Sequence, residues 1–245
     1  MPLILNLDTS TLVCSVALAS GYKLTGIRES HDDKSHSRQL GIFIQELLRE
    51  NNLEVSSLDA VAVSKGPGSH TGLRIGVSIA KGLAYGSNIP LIGIGTLDAL
   101  AGGAIQHQKI STILEKNRNT LLCPMMDARR MEVYTALYTS TGQQVKEVSA
   151  EIIEAESYHD RLEKGQIVFF GNGAEKCRAT ITHTNAIFIN GIETSAEYMV
   201  PLSEKSFKQQ KFEDIAYFEP YYLKDFIATV PKNKLIPGGH SETKT

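Results

Sequence analysis

Cysteine is scarce in this chain and widely spaced: Cys14, Cys123 and Cys177 form no C-x-x-C pair. That spacing argues against a zinc site, a redox motif and a disulfide framework, and leaves free thiols buried in strands as the expectation. Long apolar runs are missing too. No stretch reaches the roughly 18 apolar residues that read as a membrane-spanning helix. Met1-Pro2-Leu3 leads into a strand rather than a charged leader, so neither a signal peptide nor a membrane contact is expected. There is no basic excess either: 25 Lys and Arg stand against 27 Asp and Glu, for a net charge of −2. A protein that grips nucleic acid alone usually carries a cationic face, because neutralising phosphates supplies most of the affinity. This chain would need a partner for that. The expected setting is a reducing cytoplasm.

What is present is an ordinary globular balance, 42% hydrophobic and 21% charged, over a length that suits one large domain or two small ones. The pattern predicts strands over 3–7, 13–19 and 22–28, with Ser20-Gly21 as a hairpin turn. A helix follows over 37–51, its apolar positions Leu40, Phe43, Ile44, Leu47 and Leu48 on one arc. Next come a strand over 60–64, a helix over 71–86, a strand over 90–94 and a helix over 96–104, N-capped by Thr96.

The second half repeats the order: strands over 121–126, 132–138 and 144–148, a helix near 155–163, a strand over 167–170, a helix near 174–181 and a strand over 186–189. Three antiparallel strands, helix, strand, helix, occurring twice, is the layout of the actin, Hsp70 and sugar-kinase superfamily. The predicted class is therefore α/β, a duplicated actin-like (ribonuclease H-like) fold with two lobes of mixed sheet flanked by helices. The lobes are placed at residues 1–104 and 105–226. Residues 227–245, with two prolines, a Gly-Gly pair and no apolar period, read as a disordered tail.

The most informative stretch runs from Lys65 to Gly76. Three glycines and a proline bend the backbone after a Val-rich strand, and a helix opens at Thr71. Free N–H groups then gather in one concavity, which suits either an anion or close backbone packing. On that helix Arg74, Ser78, Lys81 and Tyr85 crowd into about 60° of the circumference. Apolar and small residues fill an arc of about 220°, twice what a one-sided surface helix needs. Gly72, Gly76, Ala80 and Ala84 recur every fourth residue, a row along which another helix could approach closely.

The string Gly66-Pro67-Gly68-Ser69-x-Thr71-Gly72-Leu73-Arg74-Ile75-Gly76, followed by Ala80-Lys81-Gly82-Leu83-Ala84, resembles the signature of the TsaB (YeaZ) family. Leu7-Asp8-Thr9-Ser10, His36-Ser37-x-x-Leu40, Asp127-Ala128-Arg129-x-x-Glu132-Val133-Tyr134 and Pro220-x-Tyr222-Leu223-Lys224 agree in order and spacing. The match covers roughly residues 3 to 226. It departs at Lys224, where Arg is usual, and at His70, where an aromatic residue is common.

The resemblance implies a subunit of the bacterial machinery that makes threonylcarbamoyladenosine beside the tRNA anticodon. It implies pairing of helices 37–51 and 71–86 with the same pair of a metal-bearing paralogue, TsaD. The expected partner contacts are His36, Leu40, Phe43, Leu47, Gly72, Gly76, Ile79, Ala80 and Leu83. A TsaE-type ATPase and tRNA join through the complex, and the same apolar surface leaves a homodimer open to the chain when it is alone. ATP and a divalent metal belong to the partner subunits. The paralogue's two metal-binding histidines fall at Thr96 and Leu100 here, so the resemblance implies no metal and no catalytic residue in this chain.

Asp8-Thr9-Ser10 resembles the first phosphate loop of the actin-like superfamily and is the candidate nucleotide contact, although no glycine follows the aspartate closely. A strand-ending turn satisfied by its own side chains is the competing reading. Gly171-x-Gly173 is the nearest candidate for an adenosine turn. His31, His36 and His70, with Asp32 and Asp33, would make a metal site only if the fold gathered them. Asp127 and Arg129 are expected to bridge the two lobes. The alternatives to an activating subunit are a free-standing actin-like ATPase or phosphotransferase and a homodimeric structural protein.

Overall fold

The computed structural model describes residues 1–32 and 36–223. Two five-stranded sheets repeat one topology. In the first, β1 (Leu3–Asp8), β2 (Cys14–Ser20) and β3 (Lys23–Ser30) form an antiparallel meander. β4 (Ala60–Gly66) and β5 (Leu91–Gly95) join β1 in parallel, for the order β3-β2-β1-β4-β5. In the second, β6 (Leu121–Asp127), β7 (Glu132–Tyr138), β8 (Gln144–Ile152), β9 (Ile167–Phe170) and β10 (Ala186–Ile189) give β8-β7-β6-β9-β10, the same order strand for strand. This is the duplicated actin-like fold.

β1, β2 and β4 of the first sheet are buried on both faces, so they read as near-continuous apolar runs, whereas the edge strand β3 is only partly covered. Leu5 and Leu7 of β1 point to one side, where α1 (His36–Glu50) and α2 (His70–Ser87) cover them with Leu40, Ile44, Leu47, Leu48, Val77, Ala80 and Ala84. Ile4 points to the other side, against α6 (Val200–Lys208) and the preceding 3₁₀ turn Ala196–Met199. Residues 196–208 thus complete the first lobe, and a division of the chain at 104/105 separates pieces that share one core. α3 (Thr96–Gln106) lies between the lobes, with Ala99 in the first core and Leu97, Leu100 and Ala104 in the second.

The lobes differ in their helices. Where the first carries α1 of 15 residues and α2 of 18, the matching positions of the second hold α5 (His159–Leu162) and a 3₁₀ turn, Glu175–Cys177. The helices expected over 155–163 and 174–181 shrink to these. β8 runs on to Ile152, four residues past the expected end, and α4 (Gln108–Lys116) and α6 were not anticipated. Pro201 in the first turn of α6 was the available start signal. Gly95, not Thr96, is the N-cap of α3, and Thr96 is its first residue. Cys14, Cys123 and Cys177 are free and buried. No helix among the described residues is long and apolar enough to cross a membrane. Residues 224–245, which include the expected tail and Lys224, lie outside the described residues, as does Asp33.

Candidate functional site

The loop after β1 is closed over itself. Asp8, Thr9 and Ser10 are each at most 1% exposed. One Asp8 oxygen accepts from the Ser10 N–H at 2.9 Å, the Ser10 hydroxyl at 2.6 Å and the Ser64 hydroxyl at 3.0 Å. The other has no partner among the described residues, and burial raises the carboxyl's pKa above its ordinary value. The Thr9 hydroxyl donates to the Gly72 carbonyl at 2.7 Å, and the Ser69 N–H donates to the Ser10 carbonyl at 2.7 Å. The Gly-Pro-Gly turn is therefore pressed onto this loop. A Cβ at Gly68 would collide with the Ser10 carbonyl, and one at Gly72 with the Thr9 carbonyl. Of the two uses open to that turn, the structure takes close backbone packing, and Asp8-Thr9-Ser10 offers no surface to a phosphate.

The second lobe repeats the device. Gly171, with φ of 96°, packs on the Met125 carbonyl, and Gly173 packs on the backbone of Met126 and Asp127. Gly171-x-Gly173 is a packing turn and not an adenosine cradle. The cleft between the lobes, lined by Thr11, Leu12, His31, Leu100, Asn172 and Glu193, holds about 110 Å³. That suits a few waters, against roughly 300 Å³ or more for a typical ligand pocket. His31 and Glu193 pair across it at 2.9 Å, and Thr11 meets Thr194 at 2.7 Å. The residues of the actin-like nucleotide site do not fit a nucleotide here.

The remaining polar candidates are dispersed. His36 Nε2 lies 2.8 Å from the Thr11 carbonyl, and His70 stacks on Tyr222 at 4.9 Å, so the three loop histidines do not converge. Thr96 is fully buried with a hydroxyl that has no partner among the described residues, and Leu100 is 1% exposed in the second core. Asp127 takes the Arg129 N–H at 3.0 Å and the Lys176 ammonium. That contact lies wholly within the second lobe and bridges nothing, which corrects the expected role of Asp127 and Arg129.

The α1–α2 face is the surface that remains. Five of the nine expected contacts are core: Leu40 and Leu47 are fully buried, and Gly72, Gly76 and Ala80 face the sheet. A Cβ on Gly76 would strike the Thr9 hydroxyl. The small-residue row thus lets α2 seat on its own sheet, and glutamate at Gly76 or Ala80 would probe folding rather than docking. The outward positions lie on another arc of the helix, at Gly82 and Gly86. A Cβ on Gly41, Gly82 or Gly86 would meet nothing within 4 Å. Phe43, Ile75, Ile79 and Leu83 are only partly covered, and Ile42 is 45% exposed. Phe43, Ile79 and Leu83 of this outward face were among the expected contacts, whereas Ile75, Gly82 and Gly86 were not, because both faces of α2 are rich in small residues and only the sheet distinguishes them.

Two members of the polar stripe of α2, Arg74 and Lys81, reach a C-terminal strap. Lys81 Nζ donates to the Ala216 and Phe218 carbonyls at 3.2 and 3.0 Å, and Arg74 Nε donates to the Tyr222 hydroxyl at 3.1 Å. The Tyr221 N–H donates to the Lys65 carbonyl at 2.7 Å, and the Glu213 N–H to that of Leu91 at 2.8 Å.

Across 96% of its length the chain is 31% identical to the "tRNA threonylcarbamoyladenosine biosynthesis protein TsaB" of Escherichia coli K12, covering 98% of that relative. This chain belongs to the TsaB family. The protein of the same name from Bacillus subtilis 168 is 28% identical over 90% of this chain and 93% of its own length. The family model "TsaD: tRNA N6-adenosine threonylcarbamoyltransferase" matches residues 20–243. In fold, the chain is similar to "YeaZ from Pseudomonas aeruginosa", with a TM-score of 0.75 and 24% identity over 91% of this chain and all of that one.

Proposed function

We propose that this TsaB-family chain is the non-catalytic subunit of the machinery that makes threonylcarbamoyladenosine in tRNA. In this reading it pairs through the α1–α2 face with a metal-bearing TsaD-type subunit. That subunit transfers the threonylcarbamoyl group from its adenylate to the adenosine beside the anticodon. The observation that carries the reading is the contrast between two surfaces of one lobe. The loop that would serve a nucleotide is sealed by its own hydrogen bonds, while two long helices present Ile42, Phe43, Ile75, Ile79 and Leu83 beside open glycines.

Family membership and the relatives' names support the pathway. Leu100 carries no ligand atom, so positions 96 and 100 could not hold a metal as two histidines would. A two-helix by two-helix contact buries on the order of 1,500 Å², a standard size for a specific interface. Pairing would hold the catalytic subunit in its competent form and leave the TsaE-type ATPase and tRNA to join through the complex, in the cytoplasm.

Reconstituted threonylcarbamoyl transfer to tRNA, with the TsaD-type subunit, the ATPase and an adenylate supply, tests this. Transfer should require the chain, and Ile79→Glu should abolish both pairing and transfer while the monomer stays folded. Equal transfer with and without the chain would overturn the proposal. Magnesium-dependent ATP binding by the isolated chain would return the free-standing ATPase to the front.

A further inference from the structure

Two asparagines of this chain precede glycine, Asn172-Gly173 and Asn190-Gly191, and the fold treats them differently. In such a pair the glycine nitrogen, with no side chain beside it, can close a five-membered ring on the asparagine side chain. Gly173 is buried, and its N–H donates to the Met125 carbonyl at 2.9 Å. It packs on the backbone of Met126 and Asp127, and Asn172 Oδ1 accepts the Asp127 N–H at 3.0 Å. Nitrogen and amide are both committed there.

Asn190 and Gly191 are exposed. Gly191, with φ of 80°, has open space where a Cβ would stand, and its N–H has no acceptor among the described residues. Arg178 Nη2 donates to Asn190 Oδ1 at 2.7 Å, while the same guanidinium is held by Glu175 and lies over the Phe188 ring. A cationic donor thus sits on the oxygen that gains negative charge when a nucleophile adds to the amide carbon.

The pair lies where the chain returns from the second lobe to the first. Ile189 ends β10 in register with Phe170 of β9, and Ile192 is 2% exposed in the second core. The next residues are tied to the first lobe. Glu193 meets His31 at 2.9 Å, Thr194 meets Thr11 at 2.7 Å, and the Ala196 N–H donates to Ser15 Oγ at 2.9 Å.

We propose that Asn190 is a site of spontaneous modification, ageing through a cyclic imide to aspartate and isoaspartate, and that the isoaspartate loosens the tie between the lobes. Solvent hydroxide takes the Gly191 amide proton, and the nitrogen attacks Asn190 Cγ. The new N–Cγ bond replaces Cγ–Nδ2, and Nδ2 leaves as ammonia with a proton from water. Water then opens the imide at one carbonyl or the other. Opening at the former peptide carbonyl carries the main chain through Cβ and Cγ, which lengthens it by about 1.5 Å. The added atom falls between β10 and the anchors on the first lobe.

The full chain, held folded in mildly alkaline buffer and followed by peptide mapping with an isoaspartyl methyltransferase assay, tests this. Asn190 should convert at least about tenfold faster than Asn172, a barrier difference of about 1.4 kcal/mol. In urea, where the fold shields neither pair, the two rates should converge. Asn190→Gln, which cannot close the five-membered ring, should leave position 190 unaltered over the same period. In the aged chain, amide exchange at Ala196 should quicken about fivefold relative to fresh protein. Equal native rates at 172 and 190, or no conversion at 190 in the folded chain, would overturn the site. Conversion at 190 with exchange at Ala196 unchanged would overturn its effect on the lobes.

Discussion

Thr9 and Gly72 clasp each other across the first lobe. The Thr9 hydroxyl donates to the Gly72 carbonyl at 2.7 Å, and the Thr9 carbonyl occupies the space a side chain at Gly72 would need. This clasp, 63 residues apart in the chain, joins the end of β1 to the start of α2 and seals the loop between them. It explains in one contact why glycine is needed where the turn meets this loop.

The two kinds of glycine on α2 should therefore respond oppositely to alanine. Gly72→Ala forces a Cβ into backbone and should destabilise the protein by about 3 kcal/mol. Gly82→Ala, on the open face, should stabilise it by about 0.5–1 kcal/mol through helix propensity. Urea unfolding monitored by far-UV circular dichroism checks both. A tolerated Gly72→Ala would show that the clasp is loose.

Asp8 makes a prediction in pH. Its folded-state pKa is raised by burial above 3.8, so the native state holds this proton longer than the unfolded chain does. The sign follows: this carboxyl's contribution is most favourable below about pH 3.8 and is lost as pH rises through the folded value. Asp8→Asn keeps the acceptor used by Ser10 and Ser64 and removes the ionisation. The variant should gain stability relative to the wild type as pH rises from 4 towards 7. Asp8→Ala, which strands both hydroxyls, should lose about 1–3 kcal/mol. Calorimetric Tm against pH for the three proteins is the measurement, and parallel curves for wild type and Asp8→Asn would contradict it.

The strap over α2 should loosen without the protein unfolding. Lys81→Met keeps the apolar stem but removes the donors to the Ala216 and Phe218 carbonyls. Amide exchange at Tyr221, whose N–H bonds Lys65, should accelerate about fivefold, as expected for one partly exposed hydrogen bond of about 1 kcal/mol. Global stability should change by less than that. Unaltered exchange at Tyr221 would mean that the lysine does not hold the strap.

Much of the architecture was legible in residue order. Strand periodicity, the Gly-Pro-Gly turn and the apolar arcs of α1 and α2 located the first lobe to within a residue or two, because burial on both faces leaves long apolar runs. The repeat in element order placed the second lobe. Its short helices were overcalled, since a single amphipathic turn and a longer helix begin with the same residues. α6 escaped because its apolar face is complementary to a sheet made of residues far away in sequence.

The sequence by itself determined which family this chain belongs to, the order of its strands, and that α2 carries both a small-residue row and a polar stripe. Only the tertiary structure decided what each is for. The row of Gly72, Gly76 and Ala80 meets the sheet because β1 and its loop occupy the space a larger residue would need. The stripe of Arg74 and Lys81 faces the strap because residues 213–222 return to the first lobe beside α2. Periodicity places side chains around a helix axis but carries no information on which arc the rest of the chain will cover. That choice is made by contacts distant in sequence, and it leaves Gly82, Gly86 and Ile42 on the surface.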